Sequence, residues 1–107
     1  MSLKKLEKSL STEDKKIISE MFEPLLSGKF GGEKYKKYFL QDMQQTTRNL
    51  LMGSLKTKTK HKQISSTASK YVIETIITIM NSTTTEKVLQ IISEAALLSI
   101  NMSEDGV

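Results

Sequence analysis

Ile17, Ile18, Met21, Phe22, Leu25 and Leu26 recur as pairs four residues apart. A helix brings such pairs onto one side, whereas a strand throws neighbouring residues to opposite faces. The pattern therefore demands an amphipathic helix that buries a broad stripe, and it recurs along the chain. Ser11 or Thr12 reads as the N-cap of this first helix. Glu13 and Asp14 follow in its opening turn, where carboxylates meet the positive end of the helix dipole. Pro24 lies inside the stripe and lacks the amide donor a helix interior needs, which predicts a kink or break near Glu23. Residues 27–32, Ser-Gly-Lys-Phe-Gly-Gly, read as a loop, with Gly28 suited to a positive φ at the helix end.

A longer helix is expected from about Glu33 to Leu55, with Tyr35, Tyr38, Phe39, Met43, Thr46, Leu50 and Gly53 on one face. A third follows from Ile64 to Asn81 through Ala68, Tyr71, Val72, Thr75, Ile76, Ile79 and Met80. Its β-branched content also suits a strand over Tyr71–Met80, but the helical period persists over eighteen residues and favours helix. Thr83 and Glu86 form a capping-box pattern for a last helix carrying Val88, Leu89, Ile92, Ala95, Ala96 and Ser99. Leu3, Leu6 and Leu10 allow a short additional helix at the N-terminus. The expected fold is all-α: a compact bundle of four main helices in a single domain over residues 1–100, with residues 101–107 a disordered acidic tail. At 107 residues such a bundle has room for a core of its own. The last helix is apolar on more than one side, so self-association through it is expected.

Charge is distributed unevenly. The net charge of +4 is assembled from a balanced segment 1–28, a basic segment 29–70 with ten cations and two acids, and an acidic segment 71–107. The densest point is Leu-Lys-Thr-Lys-Thr-Lys-His-Lys-Gln at 55–63, with four lysines and the one histidine in nine residues. Lysine ammoniums neutralise phosphates and release counterions, a strong and sequence-blind source of affinity. The candidate nucleic-acid-binding residues are Lys34, Lys36, Lys37, Arg48, Lys56, Lys58, Lys60, Lys62 and Lys70. The alternation at 56–62 suits an extended loop that splays its lysines to one side. A helix running through it would scatter them around the axis, and a plain solvated turn would account for them without any ligand.

Arg48 is the only arginine, and guanidinium forks do most of the bidentate reading of guanine. Contacts to nucleic acid, RNA or DNA, are therefore expected at the backbone and not at base edges. An acidic protein would suit the same charge. Tyr35, Tyr38 and Phe39 beside Lys34, Lys36 and Lys37 could stack bases, although spacing four apart also makes Tyr35 and Phe39 core residues.

Catalysis finds little material. Cysteine is absent, His61 has no neighbouring ligand with which to build a metal site, and no pair of acids stands at a spacing that marks a general acid and base. The glycines at 28–32 lack the spacing and terminal Gly-Lys-Ser/Thr of a phosphate loop. Neither an enzyme nor a bound cofactor is expected. No signal peptide or membrane span is expected either, and a cytoplasmic location is the default.

In size, helicity and basic surface the chain resembles the small α-helical subunits of CRISPR surveillance complexes. The likeness is of general character over the whole chain, with no diagnostic motif, and no binding residue is carried across from it. It implies stacked copies whose lysines track one strand, as in a small subunit of a ribonucleoprotein. The competing expectation is a helical protein-interaction module: an adaptor, an inhibitor or a homodimeric regulator.

Overall fold

The computed structural model describes residues 3–27 and 42–100. Among these residues there are helices and no strand, so the all-α bundle is the fold. The elements are α1 (Leu3–Lys8), α2 (Thr12–Ser27), α3 (Met43–Lys60), α4 (Ser66–Met80) and α5 (Thr85–Ala96). The closest partners are α2 with α5 and α3 with α4, and α1 lies against α4. Ile18, Phe22, Leu51, Val72, Ile79 and Ile92 are fully enclosed where these pairs meet. Each such side chain contributes about 1.5–3 kcal/mol by leaving water.

The stripe of α2 is buried as its spacing requires at Ile18, Met21, Phe22 and Leu25, while Leu26 turns outward. The helix is not broken at Pro24: it continues to Ser27. Proline sits in the last turn, where the missing amide costs one hydrogen bond close to the helix end. The strand alternative for Tyr71–Met80 is excluded, because the whole segment is α4. Its hydroxyls are absorbed locally: Thr75 Oγ1 donates to the Tyr71 carbonyl at 2.7 Å and Thr78 Oγ1 to that of Glu74 at 2.8 Å.

Three boundaries differ from expectation. Asp42 has φ −142° and ψ 58°, so no helix passes through it and α3 starts afresh at Met43. The angular phase inferred from Tyr35 and Phe39 does not carry across such a break. The buried face is accordingly Met43, Thr47, Leu51 and Leu55, in place of Thr46 and Gly53, with Leu50 at its edge. The second difference is at the other end, where α3 continues past Leu55 to Lys60. Third, α5 is capped by Thr84, whose hydroxyl accepts from the Lys87 amide at 3.1 Å, one residue later than Thr83. Burying Val88, Ile91, Ile92 and Ala95 together sets that phase, and it leaves Leu89 exposed. The 28–32 loop, the helix from Glu33 as far as 41 and the acidic tail fall outside the described residues.

Polar side chains fix the helix ends against one another. Ser11 and Asp14 form a reciprocal cap on α2: the Asp14 amide donates to Ser11 Oγ at 3.0 Å, and the Ser11 amide to Asp14 Oδ2 at 3.2 Å. The other oxygen, Oδ1, accepts from Ser65 Oγ at 2.7 Å. Ser65 is itself the N-cap of α4 and accepts from the Ala68 amide at 3.1 Å. One buried carboxylate thus ties the starts of two helices. At the opposite end of α4, Gln44 Nε2 donates to the carbonyls of Ile79 at 2.9 Å and Ser82 at 2.7 Å. Ser19 accepts from the Ser99 amide at 3.0 Å and donates to the Ala95 carbonyl at 3.3 Å, which joins α2 to the end of α5.

Two predictions follow from this packing. Asp14→Ala leaves the Ser65 hydroxyl and the Ser11 amide short of an acceptor and should cost about 2–3 kcal/mol in urea unfolding. Ser11→Ala, which spares the Ser65 contact, should cost about 1 kcal/mol. Tyr71 is 3% exposed, and its phenol is pushed up to about 12, first by burial and then by the carboxylates of Glu7 and Glu94. The unfolded chain ionises at about 10, so above that pH it releases a proton that the fold retains. Stability should then fall by roughly 3 kcal/mol as pH rises from about 10 to 12. Tyr71→Phe should flatten that part of the curve relative to wild type in pH-dependent melting.

Candidate nucleic-acid interface

From Met43 to Ile73 the chain contains no acidic residue, and in that span lie Arg48, Lys56, Lys58, Lys60, Lys62 and Lys70. Helix α3 and the turn after it carry five of these six. Lys58 and Lys60 occupy the last turn of α3, where cations favour the negative end of the helix dipole. Dipole and position therefore explain part of the cluster without any ligand.

The basic stretch is helical as far as Lys60, not extended, and this rearranges the expected site. At 100° per residue Lys56 and Lys60 stand about 40° apart and about 6 Å along the axis, so they share a face. Lys58 lies about 200° from Lys56. It is half-buried in a recess between α2 and α3 that Glu20, Pro24, Leu50 and Ser54 also line. The lysines consequently do not form one face: Lys58 looks back towards Glu20, whereas Lys56 and Lys60 look out. Arg48 is exposed two turns earlier, with Nη1 donating to Asn49 Oδ1 at 3.4 Å. Lys70 is exposed near the start of α4, at the same end of the bundle as the close of α3. Lys34, Lys36 and Lys37, with Tyr35, Tyr38 and Phe39, lie outside the described residues.

Among the described residues, no carboxylate is in ion-pair contact with Arg48, Lys56, Lys58, Lys60, Lys62 or Lys70. Glu74 and Glu94 in particular make no ion pair with them.

The turn after α3 is closed by a Schellman pair of hydrogen bonds. The Gln63 amide donates to the Lys58 carbonyl at 2.8 Å and the Lys62 amide to that of Thr59 at 3.1 Å. This geometry requires a left-handed residue, and Lys62 supplies it with φ 55°. Glycine takes that conformation without steric cost, whereas a residue with a Cβ is strained by about 1 kcal/mol. A lysine therefore stands where glycine would hold the turn better.

Gly53 shows the reverse economy. It is exposed in the middle of α3, and a Cβ there would meet no atom within 4 Å. Alanine would fit and would strengthen the helix. Neither Gly53 nor the Asp14 link stood out in the sequence as part of a site, although the Ser11-x-x-Asp14 spacing was a readable cap.

Among the described residues no group of three His, Asp or Glu side chains is placed to hold a metal ion. No described helix is long and apolar enough to cross a membrane. No protein-family model matches the chain, and no curated protein and no solved structure is detectably similar to it.

The strain at Lys62 can be measured directly. Lys62→Gly should stabilise the fold by about 1 kcal/mol in urea unfolding, while Lys62→Ala, which removes the charge but keeps the Cβ, should not.

Proposed function

We propose that the protein is a non-catalytic helical module that binds the phosphate backbone of nucleic acid through the basic end of α3, as a small subunit of a ribonucleoprotein would. The observation that carries this reading is the acid-free run from Met43 to Ile73, whose cations make no ion pair with a described carboxylate. Unpaired lysines repel one another and are favoured where an external polyanion neutralises them. Lysine at the strained position 62 supports the same reading, since a residue chosen for the turn alone would be glycine. A single arginine points to backbone contacts and away from base reading.

A protein-interaction module is the second reading. It is favoured by an exposed apolar stripe on α4, with Ile73 at 44%, Ile77 at 46% and Met80 at 40% exposure. That stripe, together with Leu89, Leu97 and Ile100 around the last helix, leaves self-association open to the same experiment.

Fluorescence anisotropy of a labelled oligonucleotide across a salt series tests the proposal. Binding should weaken linearly on a log–log plot. Changing Lys56, Lys58, Lys60 and Lys62 together to Ala should reduce that slope by about three, since Lys58 faces inward and each contacting lysine contributes about one. Absence of binding at low salt by folded protein would reject the nucleic-acid reading. Sedimentation of the same sample would then show whether the apolar stripes pair two copies.

A further inference from the structure

The exposed side of α3 is not uniformly cationic. Lys56 and Lys60 stand towards one end and Arg48 towards the other, about 12 Å from Lys56 along the axis. Between them the surface is Asn49, Met52 and Gly53. Met52 is a large apolar side chain left 43% exposed. Beside it lies an open depression whose described lining is Met52, Gly53, Leu55, Lys56, Thr59 and Lys60. Its floor is therefore neutral and largely apolar, and its rim carries ammonium groups.

A duplex presents phosphates and grooves outward and keeps its base faces stacked inside, so it has no use for an apolar floor. An unpaired strand offers both chemistries at once: phosphates, and flat apolar base faces free to lie on a protein surface. Glycine at the floor fits this arrangement, because it allows an incoming group to approach the helix backbone closely. An exposed mid-helix glycine otherwise only weakens the helix.

We infer that the face of α3 around Gly53 is the track for a single, unpaired nucleic-acid strand. Met52 and the open backbone at Gly53 receive a base, and Lys56 and Lys60 take the flanking phosphates. This rests on the nucleic-acid reading above and narrows it to the unpaired form. Charge complementarity selects the occupant: an uncharged apolar partner would leave both lysines of the rim unanswered.

The experiment compares a labelled single strand with a hairpin duplex of the same bases at low salt, for wild type and four variants. The single strand should bind about tenfold more tightly than the duplex, the scale of one base-face contact. Met52→Ser and Gly53→Leu change no charge. Each should weaken the single strand about tenfold and leave the duplex unchanged. Gly53→Leu should also raise Tm, so that its loss of binding cannot come from unfolding. Lys56→Ala should weaken both ligands, and Lys58→Ala neither. Equal or tighter binding of the duplex, or Gly53→Leu binding the strand as wild type does, would overturn the track while leaving backbone binding intact. If neither nucleic acid binds, the reading of the preceding section fails and the track fails with it.

Discussion

The Asp14 carboxylate is the joint on which the arrangement of helices depends. It closes the cap of α2 with one oxygen and holds the capping serine of α4 with the other. Residues 14 and 65 are far apart in sequence, so this contact decides where α4 begins relative to α2. With that start fixed, α3 must end within the few residues before Ser65, and the chain makes the tight left-handed turn at Lys62. A buried carboxylate without such partners would be costly to desolvate. Here each oxygen has a donor, the Ser11 amide on one and the Ser65 hydroxyl on the other, and the specificity of the joint comes from that pairing. Thr47 is the contrasting case. Its hydroxyl is buried in the face of α3 and finds no hydrogen-bond partner among the described residues.

The same joint shapes the electrostatics of the surface. Because α3 runs on to Lys60, its lysines are distributed by helical geometry instead of by an extended strand. One pair is presented outward and Lys58 is turned towards α2. A cationic cluster at a helix C-terminus is favourable in itself, since it opposes the helix dipole. What the dipole does not explain is the acid-free length of the region, the strained lysine just beyond the last turn and the open glycine in the exposed face. These three features each lower stability slightly or contribute nothing to it, and they meet on α3 and the turn that follows it. Features that a fold tolerates at a cost are the ones most worth attributing to a ligand.

The helices were legible because apolar periodicity is a local signal. Ile18, Phe22, Val72, Ile76 and Ile92 stand at spacings that have one helical solution, and each is buried. The same periodicity places Met43 to Leu55 in a helix, but beyond Met43 the buried face lies one position from the one it indicates. Periodicity carries its phase through Asp42, where the backbone leaves the helical region. The capping residue of α5 was misplaced by one for a related reason, as three successive threonines can each cap and only the packed face chooses among them. The candidate site was legible as charge and illegible as shape. Composition marks the lysines at 56–62, but it cannot say that Lys58 faces Glu20 while Lys56 and Lys60 face solvent.

The sequence alone determined that the chain is helical, which side chains have to be buried together, and that positive charge is concentrated in its middle. These depend on residue spacing and composition, which act over a turn or two. Tertiary structure decided where the helices stop, which helix face is the inner one, and that the lysines divide between two sides of α3. Those outcomes rest on contacts between residues distant in the chain, such as Asp14 with Ser65 and Gln44 with the end of α4. No local pattern encodes such contacts, because their energy exists only once the helices are docked.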